Sequence, residues 1–239
     1  ENVYKETNVG FDDLLRLHQY LDRELAATFS SDLLSSANYA RLGSNYVLPT
    51  EVAAPALLSP KGDLAQMSNL RQLGEIVIGR WYEPRDDGVI ECVVDEVTFE
   101  KSELLIGETL NYWYAVKEGE VVGSVGRDRI ENGYVKLTIE LVGMFRPKAG
   151  YTTEQWIYPP PFVSRLFADP DVFMSSLLSD EGLGLQARNY DMQWVFDHSG
   201  IRVGDLPRYI SAIERMEERS TRIAPKTTFW HSPLAYFVR

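Results

Sequence analysis

The segment ENGYVKLTIEL, residues 131–141, decides how the rest of the chain is read. Tyr134, Lys136, Thr138 and Glu140 alternate with Val135, Leu137, Ile139 and Leu141, the period of two that sends successive side chains to opposite faces of a strand. Directly before them stands Asn132-Gly133, a pair that accepts the positive φ angles of a type I′ turn. The pattern predicts a hairpin with a partner strand over 121–130.

Outward from that hairpin, strand signals recur from Glu75 to Phe145. Leu110, Tyr112, Tyr114 and Val116 alternate in the same way, with a turn expected over Lys117–Glu120. Ile76–Tyr82 and Val89–Phe99 are rich in β-branched and aromatic residues and are joined by Pro84-Arg85-Asp86-Asp87-Gly88, a run of turn formers. The apolar phase changes from Ile90, Cys92 and Val94 to Val97 and Phe99, which predicts a bulge near Asp95 and Glu96. The expected fold class is therefore α+β. At its centre lies an antiparallel β-meander of about five to seven strands, with closure into a barrel as a variant.

Helices flank that centre. Over residues 10–29 the stripe Leu14, Leu17, Leu21 and Leu25 predicts an amphipathic helix, with His18 at its boundary and Asp12 and Asp13 near the positive end of its dipole. A second short helix is expected after Ser30, and an irregular apolar arm broken by Pro49, Pro55 and Pro60 over 43–60. Asp63 is expected to cap a helix over Leu64–Leu73. Asp169-Pro170 opens another helix through Leu178, with Gly182 and Gly184 ending it. A strand is expected over Leu185–Phe196. The last helix begins at Asp205 and is expected to bury Leu206, Ile210 and Ile213.

With 239 residues and no linker-like tract, one domain spanning 1–239 is expected. It comprises a helical and extended N-terminal part (1–73), the meander (74–146), and a part carrying the Pro-aromatic loop, helices and a final strand (147–239). A net charge of −11 repels a phosphate backbone, so nucleic-acid binding by direct charge is disfavoured. The single Cys92 cannot form an intrachain disulfide and is expected to be a buried apolar residue. No apolar run approaches the ~20 residues needed to span a bilayer, and no signal-peptide pattern opens the sequence. The compartment stays unassigned, and neither a cofactor nor a metal site is predicted.

Candidate reactive groups are sparse. Asp197-His198-Ser199 holds the residue types of a hydrolase triad, but triads converge from separated positions. Glu91, Asp95, Glu96, Glu100, Glu103 and Glu108 match no EF-hand spacing and are expected to form a solvated acidic rim. Gly123-Ser124-Val125-Gly126 and Gly182-Leu183-Gly184 do not precede helices as phosphate loops do. Apolar character in peripheral segments is the stronger signal. Tyr151, Trp156, Tyr158, Pro160 and Phe162 surround a stiff triple proline, and Phe229, Trp230 and Tyr236 enrich the C-terminal segment. These eight are the expected interface residues of a non-catalytic structural or assembly subunit that docks on copies of itself or on other proteins. The alternative is a hydrolase-type enzyme using Asp197, His198, Glu91 and Asp95 in a cleft of the sheet. A ligand-binding β-barrel is the further alternative.

Overall fold

Residues 134–141 form the first half of a 14-residue strand, Tyr134–Pro147, on which four other strands pair. The computed structural model describes residues 10–29, 33–43, 45–49, 62–102, 104–116, 122–127, 130–150, 162–197 and 202–225. In chain order the first elements are α1 (Phe11–Thr28), β1 (Leu33–Arg41), β2 (Asn45–Pro49), β3 (Asp63–Met67), α2 (Leu70–Leu73) and β4 (Gly74–Gly79). Then come β5 (Val89–Asp95), α3 (Glu96–Ser102), β6 (Thr109–Ala115), α4 (Ser124–Arg127), β7 (Ile130–Glu131) and β8 (Tyr134–Pro147). The remainder is β9 (Arg165–Ala168), α5 (Pro170–Val172, continued by a π-helical stretch over Phe173–Leu178), β10 (Asn189–Phe196) and α6 (Leu206–Ile223).

The strands form a sheet in the order β10-β1-β3-β9-β5-β8-β6-β2, with β4 and β7 also on β8. β6 and then β4 follow each other along one edge of β8, while β7 and then β5 follow each other along the opposite edge. The expected antiparallel meander is corrected: the sheet is mixed, because β5 runs parallel to β8 and β3 parallel to β9. The described strands do not close into a barrel. β5 is buried along nearly its whole length, and strands covered on both faces read as near-continuous apolar runs, as Val89–Asp95 does. Its parallel partner lies beyond a long crossover, residues 96–133, which a hairpin-by-hairpin pattern cannot anticipate.

The hairpin turn itself is present. Asn132 and Gly133 have φ of 52° and 83°, as the type I′ turn requires, but its partner strand is only the two-residue β7. Residues 124–127 of the expected 121–130 strand form instead the single helical turn α4. The phase change after Val94 is a passage from strand to helix at Glu96, and the register irregularity lies earlier, where Val142 is the extra residue opposite Cys92 and Val93. At this irregularity a Cβ on Gly143 would stand 2.1 Å from the Arg80 carbonyl oxygen, so the close backbone approach there requires glycine.

Other expected elements changed type. The helix after Ser30 is strand β1, and the Leu64–Leu73 helix is strand β3 followed by the one-turn α2. All five residues of β3 are buried between β1 and β9, and such packing overrides the helical propensity of Leu64, Ala65, Gln66 and Met67. Residues 45–49 of the expected irregular arm pair in full with β6. β10 begins at Asn189 rather than Leu185, and β9 carries no alternation strong enough to announce it. Asp169 does cap α5, its carboxylate accepting from the amides of Asp171 (2.9 Å) and Val172 (3.3 Å).

The chain divides into two compact units, Glu1–Asn8 with Ala37–Asp191, and Val9–Ser36 with Met192–Arg239. In the first, Tyr39, Met67, Leu70, Leu73, Val93, Phe145, Phe162 and Phe167 belong to one core cluster. Phe145 meets Phe162 at 5.3 Å and Phe167 at 5.9 Å between ring centres, both edge to face. In the second, Leu17 and Leu21 of α1 pack with Ala212 and Met216 of α6. The buried residues of α6 are Ala212, Met216 and Ser220, while Leu206, Ile210 and Ile213, expected inside, are only half-buried.

Candidate functional site

The densest charged group in the sheet unit centres on Glu91. β5 carries this carboxylate into a buried position, 4% exposed, and the loop after β4 folds back over it. Arg80 donates two bonds, from Nη1 (2.5 Å) and Nη2 (2.6 Å), and the Glu83 amide adds a third at 2.9 Å. Arg85 stands 3.6 Å from the same carboxylate and donates to Glu140 at 2.6 Å, while also pairing Asp87. The Arg80 bonds hold the Glu91 carboxyl below the usual carboxylate range, outweighing its burial. A general acid needs its pKa raised toward neutrality. Glu91 is held the other way, as an ionised clamp that ties residues 80–88 to β5.

Asp95 ends β5 and opens α3. Its buried carboxylate accepts from the Thr98 amide at 3.1 Å and from the Thr98 hydroxyl, a capping arrangement. The Thr98 oxygen in turn accepts from the Ser164 amide at 2.7 Å, so Asp95 anchors the turn before β9. Glu91 and Asp95 are thus internal bonding partners and not part of a solvated rim. Glu96, in contrast, is on the surface and takes two bonds from Arg146, at 2.8 and 2.5 Å.

Asp197 follows β10 in the second unit and is half-buried. His198 lies outside the described residues, as do Tyr151, Trp156, Tyr158, Pro160, Phe229, Trp230 and Tyr236. Phe162, expected at an interface, is described and is buried in the core of the sheet unit. His18 lies edge-on to Trp194 at 5.9 Å and faces Asp22 at 3.5 Å, and Asp22 also accepts from the Trp194 indole at 2.7 Å. That arrangement fastens α1 to β10 within the second unit.

A second ion-pair cluster has no local signature in the sequence. Asp63, expected as a helix cap, lies beside Arg165 in the β3–β9 register and pairs with Arg41 (2.5 Å) and Arg165 (3.3 Å). Arg165 also donates to the Tyr39 hydroxyl at 3.1 Å, and burial pushes the Tyr39 phenol up. The three charged residues are separated widely in sequence and meet only through strand order, so no local spacing could have revealed them.

Among the described residues, no group of three or more His, Cys, Asp or Glu side chains converges as metal ligands, and no helix is long and apolar enough to cross a membrane. Cys92 is fully buried and its thiol is pushed well up by burial. We expect Cys92 to resist an aromatic disulfide reagent in the native protein and to react completely once the chain is unfolded in denaturant. Rapid stoichiometric labelling of the folded protein would contradict that placement. The chain matches no protein-family model and none of the curated proteins.

Proposed function

We propose that this chain is a non-catalytic structural or assembly subunit that docks on copies of itself or on other proteins. The observation that carries it is the end of β4. This strand pairs only with β8 among the described residues, and it presents Val77 and Ile78 at 41% and 47% exposure. An unpaired strand edge bearing apolar side chains is suited to strand addition by another polypeptide. The irregular register at Val77 and the φ of +77° at Gly79 bend this edge and so limit indiscriminate pairing. Support also comes from the carboxylates: Glu91 and Asp95, the acids a hydrolase would draw from the sheet, are engaged in holding a loop and a helix.

Tyr151, Trp156, Tyr158, Pro160, Phe229, Trp230 and Tyr236 are the residues proposed to contribute to the contact, while Phe162 is buried in the core. Two-fold homo-oligomers are the commonest assemblies, so a second copy is the first partner to test. Replacing Trp156 and Tyr158 with alanine should shift the association midpoint to at least about tenfold higher concentration, since aromatic anchors dominate interface energy. The thermal unfolding of the dissociated chain should stay unchanged. Identical association curves for the variant and the parent would count against the proposal.

A further inference from the structure

The helical unit carries a charge arrangement that neither its packing nor the docking proposal uses. On α1 and α6 most charged side chains near the helix contact have a partner. Arg23 pairs with Glu24 at 3.2 Å, Arg16 with Asp13 at 3.8 Å, and Arg222 with Glu218. The ion pairs of α1 and α6 among the described residues include neither Arg215 nor Arg219, which stand one helical turn apart. Like charges at that spacing repel. Both line the same cleft, of about 360 Å³, between α1 and α6. Its other residues are Tyr20, Glu24 and Thr28 of α1, and Ala212, Met216, Glu218 and Arg222 of α6, with buried Ala212 and Met216 supplying apolar surface.

We propose that this cleft binds a phosphate monoester carried on a small organic body. Two guanidinium forks match the charge and the oxygen geometry of a phosphate dianion better than those of a single carboxylate. The Tyr20 and Thr28 hydroxyls offer further donors, and the apolar surface of Met216 suits a carbon body in a cleft of ordinary ligand size. Burial pushes the Tyr20 phenol up, with Glu24 acting in the same direction and Arg219, Arg23 and Arg215 opposing it. Glu24 and Glu218 oppose an incoming anion, but each is engaged by an arginine, Arg23 and Arg222. In a chain of net charge −11, a cleft lined by Arg215, Arg219 and Arg222 against Glu24 and Glu218 is a local inversion of sign.

The same group occurs on soluble metabolites and on lipid headgroups, and two probes separate these sources. Calorimetric titration of the full chain with glycerol 3-phosphate at constant ionic strength tests the first. Co-sedimentation with phosphatidylcholine vesicles, with and without phosphatidic acid, tests the second. We expect saturable binding in at least one arm. It should be weakened at least about tenfold by Arg215→Gln with Arg219→Gln, and unchanged by Arg208→Gln on the same helix but outside the cleft. Equal unfolding midpoints of the three proteins confirm that the variants fold. Binding of glycerol 3-phosphate assigns a soluble ligand, and binding only to phosphatidic acid vesicles assigns a lipid headgroup. Absence of saturable binding in both arms, or binding that survives the double substitution, overturns the proposal.

Discussion

Replacing Phe145 with alanine destabilises the sheet unit by about 3–5 kcal/mol, the usual cost of removing a fully buried phenylalanine and leaving a cavity. Phe145 lies on β8 opposite Ile76 of β4 and Asp95 of β5, so its ring stands where the antiparallel and parallel partners of β8 meet. The ring touches Phe162, Phe167 and Trp81, the last at 6.0 Å. Those aromatics are members of the same core cluster or packed against it, so the lost ring takes a packing partner from each of them. At roughly 2–4 °C per kcal/mol for a domain of this size, the melting temperature should fall by on the order of 10 °C. Phe145→Leu should recover more than half of that loss. A fall of no more than a degree or two for the alanine variant would mean that β8 does not run through the core as described.

Glu91→Ala should cost about 2–3 kcal/mol, toward the lower side of what breaking a buried ion pair costs, because Arg80 is about half exposed and can rehydrate. The effect has a pH signature. The folded pKa of Glu91 lies below its ordinary value, so the ion pair stabilises the protein above that ordinary value and the contribution is lost as pH falls through the folded pKa. The stability gap between the parent and Glu91→Gln should therefore be constant from neutral pH down to about pH 5 and shrink below about pH 4. Denaturant midpoints measured across that range check it. A gap that widens on acidification would contradict the ion-pair assignment.

Which parts of this fold the sequence disclosed follows from the range of the forces involved. Asn132-Gly133, the alternation after it, the leucine stripe of α1 and the Asp169 cap of α5 are fixed by residues within a few positions of one another. All four appear in the structure. β1, β3 and β9 are held by neighbours far away in sequence, and their own residues favour other conformations or none. The parallel pairing of β5 with β8 has no local signature, because one strand's pattern reports that it is buried and not which strand covers it. The same limit governs the polar residues. Glu91 and Asp95 were legible as acids on a strand, but Arg80, Thr98 and Ser164, which give them their roles, are brought in by a loop, a helix and a turn.

Docking through the apolar edge and the aromatic segments is the claim on which the functional account rests, and sedimentation velocity of the purified chain beside Val77→Glu with Ile78→Glu tests it most directly. The account predicts that the parent forms a particle of at least twice the chain mass as concentration rises, and that the variant stays monomeric with an unchanged unfolding midpoint. A parent that sediments as a monomer across the whole range, indistinguishable from the variant, would contradict it.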